Sequence, residues 1–442
     1  MSMIKKIYIL CLACLLSISL KSTAQSLYFP PVTGNTWDSI SPQSLGWCVN
    51  YVDSIYSYLN ANSTKAFILL KDGKIVLEKY FGSFTQDSLW YWASAGKSLT
   101  ALTVGIAQQE GLLNIDDSTS SYLGSGWTVA PATKEKLISI RDQLSMTSGL
   151  NDTIGDPHCT VDTCLKYLAD AGTRWAYHNG PYTLLDGVIS NATGMSLNNY
   201  INQKIKILTG MTGLFVPSGF NNVFYSKARS MARFGLLILN KGKWDNTPIL
   251  SDTSYFSQMT HSSQNLNPSY GYLWWLNGQS SFMAPGLQFN FPGWLNPSAP
   301  QDLLMALGKN GQLVNVVPSK NLVFIRMGNN PDNSDVPIFF NDTIWQKLNL
   351  LMCQPNSLTV ESDKSTIEIY PNPAQDLFYI TLSSEANEVR IEDLMGRTKY
   401  QSAVNSSLPQ RMSISTLNWI PGIYVIRIRV QNRWLHQKIH IH

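Results

Sequence analysis

The sequence is poor in charge, and the charges that it has are nearly balanced. Charged residues make up 14% of the 442 residues, against about 25% in an average globular protein. The net charge is only +4 and no long run of lysine and arginine occurs, which argues against nucleic acid as a partner. The low charge does not indicate disorder, because the chain contains 13 Trp, 20 Tyr and 16 Phe, residues in which disordered chains are poor.

Two common kinds of site are also missing. The six cysteines form no paired C-x-x-C motifs and no cluster with histidine, so the sequence does not indicate a structural zinc site. No G-x-S-x-G segment is present, which excludes the nucleophile turn of α/β-hydrolases. We therefore predict neither a metal nor a cofactor.

The first residues have the layout of an export signal. Lys5 and Lys6 precede an apolar stretch at 7–20, and the small residues at 22–24 fit a cleavage site. This stretch is shorter than the roughly 20 residues that span a bilayer, and no second long apolar segment follows it. We predict a signal peptide at 1–24 and a mature chain without a membrane span.

Export would place the remaining cysteines in an oxidising compartment. Cys48, Cys159, Cys164 and Cys353 are left after removal of the signal, and four cysteines allow three pairings. We predict Cys159–Cys164, which closes a short loop, and Cys48–Cys353, which would join the first and last helices of one domain. Four free buried thiols are the alternative.

The order of hydrophobic patterns predicts an α/β domain at 25–354. Its sheet would take strands from both ends of the segment, and the helical part would pack beside it. The predicted elements are a helix at 43–59, a hairpin at 66–80, a helix at 94–112, a mostly helical region at 144–270, strands at 270–276, 302–307, 312–317 and 322–327, and a helix at 344–353.

The sequence pattern changes after the predicted α/β domain. Residues 355–365 are polar and read as a linker, and from 366 onward apolar residues alternate with period two between glycines and prolines. This pattern predicts a small all-β sandwich at 366–442.

Three short motifs carry candidate chemistry. Ser94 and Lys97 form an S-x-x-K motif; on a helix these positions share a face, and a serine nucleophile needs such a neighbouring base. Tyr177 and Asn179 form a Y-x-N motif, and nearby ammonium groups could lower the high pKa of the phenol. Lys309, between two strand-like runs, could supply a second ammonium.

Each motif alone also has an ordinary structural explanation. The S-x-x-K spacing occurs a second time at Ser2 and Lys5, and the Y-x-N spacing occurs at three other places. A helix cap, a packed aromatic ring and a hairpin-turn lysine are therefore the alternatives. The order and spacing of the three motifs along the chain favour the functional interpretation over these structural alternatives.

Taken in that order, and with the supporting segments 92–100, 143–150, 232–235 and 270–274, the chain over about 40–353 resembles the serine β-lactamase and penicillin-binding protein superfamily. The similarity is to its class C and esterase-like branch, which includes 6-aminohexanoate-dimer hydrolase. The resemblance implies an α/β (α+β) fold, with an antiparallel sheet flanked by helices plus a mostly helical subdomain.

The resemblance also implies acyl transfer to a serine. Ser94 would attack a carbonyl and form an acyl-enzyme, while Lys97 and Tyr177 would share its proton, and which of the two is the base in acylation stays open. The backbone N–H groups of Ser94 and Gln312 would form the oxyanion hole. Asn179 would orient Lys97 and the substrate amide.

The third motif, Lys309-Asn310-Gly311, is closer to the lysine version of true β-lactamases than to the His or Trp of many esterase-like members. Lys309 would set the electrostatic field and could hold a substrate carboxylate, although Asn310 stands where Thr or Gly is usual. We expect a secreted serine hydrolase of a small-molecule amide or ester. The alternatives are a β-lactamase or D-alanyl carboxypeptidase, or a catalytically silent peptidoglycan or ligand sensor.

The tail carries a resemblance of its own. A Y-P-N-P segment at 370–373, Asp376, a D-L-M-G segment at 393–396 and a G-x-Y segment at 422–424 are similar to the C-terminal sorting domain of Bacteroidetes type IX secretion substrates. This resemblance implies passage through the periplasm, recognition by the type IX machinery and a secreted or cell-surface protein. A small carbohydrate-binding or immunoglobulin-like module is the alternative.

Overall fold

The computed structural model describes residues 27–153, 155–329, 331, 334, 336–353, 368–382, 386–393, 396–404, 410–430 and 433–442. The predicted signal peptide at 1–24 and the predicted linker at 355–365 lie outside the described residues. The chain divides into two compact units, Met1–Leu358 and Thr359–His442. Within the described ranges, no helix combines the length and the apolar character that crossing a membrane requires.

A six-stranded antiparallel sheet forms the centre of the first unit. The strands of this unit are β1 (Thr64–Lys71), β2 (Lys74–Tyr80), β3 (Trp90–Tyr91), β4 (Leu214–Ser218), β5 (Asn221–Ser226), β6 (Lys243–Trp244), β7 (Thr247–Pro248), β8 (Trp275–Leu276), β9 (Ser281–Phe282), β10 (Phe291–Pro292), β11 (Leu304–Gly308), β12 (Gln312–Val317) and β13 (Leu322–Gly328). The central sheet has the order β2-β1-β13-β12-β11-β8, so it takes strands from both ends of the domain, as predicted.

Helices cover this sheet and build the part beside it. They are α1 (Val52–Ala61), α2 (Lys97–Gln109), α3 (Ser120–Leu123), α4 (Ala132–Glu135), α5 (Ile140–Leu144), α6 (Asn179–Thr183), α7 (Leu185–Thr193), α8 (Leu197–Ile201), α9 (Ile207–Thr209), α10 (Ala228–Leu239), α11 (Thr253–Thr260) and α12 (Ile338–Leu351). A π-helical turn at Asn202–Lys206 joins α8 to α9, and a 3₁₀ turn at Ala93–Gly96 leads into α2.

Two adjacent residues of β13 show that helices lie on both faces of the sheet. Phe324 contacts Trp345 of α12, with ring centroids 5.4 Å apart. Val323 packs against Gly235 of α10, where an added Cβ would lie only 2.5 Å from the valine Cγ1. Because successive side chains of a strand point to opposite faces, α12 and α10 cover opposite sides. The predicted α/β fold with an antiparallel sheet is confirmed.

Local details differ from the sequence prediction. The helix predicted at 43–59 begins only at Val52, because short 3₁₀ turns occupy the preceding residues. The region at 144–270 contains the hairpin β4–β5 as well as helices. Only Trp275–Leu276 of the run at 270–276 is a strand, since Leu273 adopts a left-handed φ of 57° and its N–H donates to Leu144 instead of to a neighbouring strand.

Both predicted disulfides are present. Cys48 and Cys353 are bonded with their Cα atoms 5.7 Å apart, and Cys159 and Cys164 are bonded with their Cα atoms 6.0 Å apart. The first disulfide links the segment before α1 to the residue that follows the last turn of α12. The second closes a short loop that packs near the candidate site.

The second unit is all-β, as predicted. One sheet pairs β14 (Glu368–Tyr370), β15 (Leu377–Leu382) and β18 (Gln410–Ser415), and the other pairs β16 (Ala386–Asp393), β17 (Thr398–Ala403), β19 (Gly422–Val430) and β20 (Arg433–Ile441). Alternate residues of both sheets meet in a single core, which includes Phe378, Ile380, Val389, Ile391 and Ile426. The period-two pattern of the sequence therefore marks the inward-facing positions of a sandwich.

Candidate active site

The segment that carries Ser94 is a tight turn held from two sides. Ser94 lies in the 3₁₀ turn Ala93–Gly96 and not in the first turn of α2, which begins at Lys97. Ala93 has a left-handed φ of 46°, a conformation that costs free energy for a residue with a Cβ. The backbone N–H of Trp92 donates to Phe224 (2.8 Å), and its indole N–H donates to the Ser226 hydroxyl (2.8 Å). These contacts stabilise the strained turn.

Lys97 is buried directly beside Ser94. Its Nζ donates a hydrogen bond to Ser94 Oγ at 2.8 Å, and the residue is only 4% exposed. Burial penalises the charged amine and lowers the pKa of Lys97 from 10.5 to about 7. At neutral pH a substantial fraction of Lys97 therefore carries no charge, so its amine can accept a proton from the hydroxyl.

Aromatic rings form the other side of the amine. Lys97 Nζ lies 5.1 Å from the ring centroid of Tyr177 and 4.4 Å from that of Tyr182. The Tyr177 ring is in turn stacked on Trp275 (5.7 Å, 24°) and meets the edge of Tyr270 (6.2 Å). Tyr177 is thus held by packing next to the serine–lysine pair. Tyr182 is a neighbour that the sequence analysis did not identify.

Residues after Tyr177 lead into α6. Asn179 is the first residue of this helix and is half-buried. Gly180 packs on the Cys159–Cys164 loop: its N–H donates to Pro157 (3.0 Å), and an added Cβ would lie 2.4 Å from the Cys159 carbonyl oxygen. The disulfide loop therefore supports the backbone that carries Asn179.

His178 and Trp175 lie away from solvent. His178 is buried, and burial lowers the pKa of its imidazole to about 4, with Asp152 and Arg174 as its charged neighbours. Trp175 is 1% exposed, so it belongs to the core. Gln288, in the hairpin between β9 and β10, donates to the carbonyl of Trp175 at 2.9 Å. This bond places the hairpin near the edge of the candidate site.

The residue just before the third motif packs on the Ser94 turn. Gly308, the last residue of β11, packs so closely that an added Cβ would lie 2.4 Å from the Trp92 carbonyl oxygen and 2.9 Å from the Ala95 nitrogen. Lys309 follows at once and its side chain is exposed, in contrast to the buried Lys97. Asn310 donates from its side chain to the Tyr91 hydroxyl at 2.7 Å.

The remaining predicted residues of this turn face the sheet. Gly311 is buried with a left-handed φ of 75°, and Gln312, the first residue of β12, is fully buried. The Gln312 side chain donates to the Gly328 carbonyl (2.6 Å) and accepts from the Gly328 N–H (3.1 Å). Arg326, which the sequence analysis did not identify, donates to carbonyl oxygens of the same turn. No sequence signal distinguished it from other strand residues.

A surface cavity lies away from the candidate site. A space of about 540 Å³ opens at the far end of α2, where its lining includes Gln108, Asp116, Tyr122, Arg141 and Gln258. None of the predicted site residues borders it. This cavity therefore does not belong to the candidate site.

The site combines a hydroxyl, a buried amine of lowered pKa and a phenol ring at the edge of an antiparallel sheet covered by helices. This is the serine hydrolase fold of the β-lactamases and penicillin-binding proteins. The family model described as Beta-lactamase matches residues 60–338, more than half of the chain, and the chain belongs to this family. The model of the secretion system C-terminal sorting domain matches residues 368–442. Both resemblances predicted from the motifs are confirmed.

Individual relatives are distant. An uncharacterized protein of Alkalihalophilus pseudofirmus is 24% identical over 325 residues, which cover 63% of this chain and 90% of the relative. A Bacillus anthracis protein described as a 6-aminohexanoate-dimer hydrolase has a similar fold (TM-score 0.57, 19% identity, 74% of this chain and 91% of that one). A Bacteroides dorei protein described as a β-lactamase is similar too (TM-score 0.55, 18% identity, 70% and 100%). At these identities the likeness shows the fold alone.

The lowered pKa of Lys97 predicts a pH-dependent stability. Between a folded-state pKa of about 7 and an ordinary pKa near 10.4, the unfolded chain holds a proton that the folded chain has released. The free energy of unfolding should therefore rise with pH in this window, by about 1.4 kcal/mol per pH unit. Denaturant titrations of wild type and Lys97→Met at several pH values give the free energy of unfolding at each pH. The difference between the two proteins in its slope against pH measures the contribution of Lys97. Ser94→Ala, which keeps the buried amine, should retain the wild-type slope; equal slopes for all three proteins would contradict the prediction.

Proposed function

We propose that the protein is an exported serine hydrolase that cleaves an amide or ester bond through an acyl-enzyme on Ser94. The observation that carries this proposal is the 2.8 Å hydrogen bond between Lys97 Nζ and Ser94 Oγ, made by an amine whose pKa is lowered to about 7. A serine hydroxyl is a weak nucleophile until a base accepts its proton. A base is most effective when its pKa lies near the working pH, a condition that Lys97 meets.

The proton would move between Ser94, Lys97 and Tyr177. As the Ser94 oxygen bonds to the substrate carbonyl carbon, its proton passes to a neutral base; it is then delivered to the leaving amine or alcohol, and the same base later activates the water that releases the acid. Lys97 is in direct hydrogen-bond contact with Ser94, and the Tyr177 ring lies 5.1 Å from the amine. The geometry favours Lys97 as the base in acylation, with Tyr177 assisting proton transfer.

The oxyanion would be held by two backbone N–H groups. One is that of Ser94, in the first, 3₁₀ turn of its helical segment. Family resemblance assigned the second to Gln312, but Gly308 is the residue that packs on the Ser94 turn, whereas Gln312 begins the neighbouring strand. The N–H of Lys309, the next donor along the chain after Gly308, is therefore the better candidate. A single such donor contributes about 3 kcal/mol to transition-state stabilisation elsewhere.

Two polar side chains are proposed to meet the substrate. Asn179 is the first residue of α6, two positions after Tyr177, and would orient the amine and the substrate amide. Lys309 is exposed at the turn that follows Gly308, so its ammonium would act on the substrate at the rim of the cleft and not inside it. Gly311 permits the left-handed turn that places both Lys309 and the start of β12.

Covalent labelling tests the proposed reaction. Wild-type protein should take up one equivalent of a fluorescent phosphonate and hydrolyse p-nitrophenyl esters or D-amino-acid amides, whereas Ser94→Ala should do neither. Because the charged form of Lys97 cannot accept a proton, the labelling rate should rise with pH and level off above about 7. The readouts are gel fluorescence, intact mass and ester turnover. A wild-type protein that forms no adduct would contradict the proposal and favour a catalytically silent ligand sensor.

The same experiment separates the alternatives within the class. The fold relatives include a protein described as a 6-aminohexanoate-dimer hydrolase and one described as a β-lactamase, and fold alone does not select between their activities. Rapid turnover of penicillin would favour a β-lactamase. Release of D-alanine from a peptidoglycan peptide would favour a carboxypeptidase.

Gly308→Ala should disable the site without altering any reacting side chain. Its new Cβ would have to avoid the Trp92 carbonyl at 2.4 Å and the Ala95 nitrogen at 2.9 Å, so β11 must move away from the Ser94 turn. Misplacement of this size costs about 100-fold in rate, and kcat for ester hydrolysis should fall accordingly. Gly187→Ala, in helix α7 with only the flexible end of Leu123 nearby, is the matched control and should remain active. Wild-type kcat in Gly308→Ala would exclude the proposed approach of the strand.

The second unit is proposed to direct export through the type IX machinery. Its match to the sorting-domain model supports secretion or a cell-surface location, and passage through the periplasm after removal of the predicted signal peptide is part of the proposal. Deletion of 366–442 in a host with this machinery should leave active enzyme in the periplasm. Cell fractionation with ester turnover as the readout measures this. Unchanged secretion combined with weaker glycan binding would contradict a sorting role and support a carbohydrate-binding module.

A further inference from the structure

Arg326 is a buried cation that holds the turn carrying the third motif. It lies on β13 and is 0% exposed. Its Nη1 donates to the carbonyl oxygens of Asn310 (2.7 Å) and Gly311 (3.0 Å). Its Nη2 donates to the carbonyl oxygens of Asn62 (2.6 Å) and Asn329 (3.1 Å). The guanidinium thus ties the turn to the backbone just before β1 and just after β13, at the same end of the sheet.

The conformation of this turn needs such support. Asn310 and Gly311 have successive left-handed φ values of 63° and 75°, and a left-handed residue with a Cβ persists only where its surroundings determine it. Bonds to two successive carbonyl oxygens fix both peptide planes at once. Gly311 also leaves the room that the guanidinium occupies, since an added Cβ would lie 2.5 Å from Nη1 of Arg326. The glycine and the arginine are therefore complementary.

We infer that Arg326 is a positioning residue for the reaction at Ser94: it holds the 309–311 turn so that the backbone after Gly308 stays against the nucleophile. The inference rests on the proposed function. Gly308 directly precedes this turn and already packs on the Ser94 turn, so a shift of the turn would be transmitted to the oxyanion donors.

Substitution of Arg326 with a matched control tests this role. Arg326→Met should lower kcat for ester hydrolysis about 100-fold, the effect of a misplaced group, with KM changed by less than about threefold. Arg326→Lys keeps an N–H donor at this position but not the planar fork, so it should lose less activity than Arg326→Met. Thr64→Val removes the Nε bond of the same guanidinium (3.0 Å) and leaves the turn bonds, so its kcat should stay near wild type. Millimolar guanidinium should restore part of the activity of Arg326→Ala, whereas sodium chloride should not.

Thermal unfolding distinguishes positioning from ordinary stabilisation. A merely structural arginine would lower Tm and leave kcat unchanged in protein that is still folded, and that result in Arg326→Met would overturn the inference. If the arginine variants do not fold, Gly311→Ala provides a second test, because its Cβ would push the guanidinium away from the turn. The kcat of Gly311→Ala should fall, and full activity would overturn the inference. If wild-type protein neither turns over the ester nor takes the phosphonate label, the proposed function itself fails, and the inference fails with it.

Discussion

An amine that is shut away from water keeps its proton only at a cost in free energy, and the first unit places such an amine beside a serine. Lys97 is 4% exposed and has a pKa lowered to about 7 by burial. The folded structure must offset this cost, and the packed rings of Tyr177 and Tyr182 around the amine do part of this through contacts with the ammonium form. The other features of the site follow from keeping this amine dry while the serine stays accessible.

Accessibility of the serine is set by backbone and not by side chains. The left-handed Ala93 turns the chain so that Ser94 stands between α2 and the sheet, and Gly308 lets β11 approach the turn at a distance that no Cβ allows. Gly308 thereby brings the backbone of β11 against the Ser94 turn. Because peptide N–H groups are fixed by the fold, they need no reorganisation when negative charge develops on a substrate oxygen.

The sequence predicts the local part of this site well and the distant part less well. The contact between Ser94 and Lys97 follows from helical spacing, which depends only on neighbours along the chain. The β-lactamase-like fold, both disulfides and the all-β tail also follow from patterns and motif order. Spacing could not show that the Lys309 side chain is exposed while Gly308, just before it, packs on the Ser94 turn. Arg326 contacts the turn only through pairing of β12 with β13, and it lies within an otherwise apolar strand that carries no functional signal.

The two buried cations differ in a way that fits their proposed tasks. A lysine amine loses its proton when it is desolvated, so Lys97 can be neutral at pH 7 and accept a proton. A guanidinium keeps its proton even when it is desolvated, so Arg326 provides a permanent charge and several N–H donors in one plane. Exchanging them would impair both positions, because an arginine beside Ser94 could not act as a base and a lysine behind the turn could not hold two carbonyl oxygens in one plane. The site therefore separates proton transfer from fixed positive charge, with one residue type suited to each.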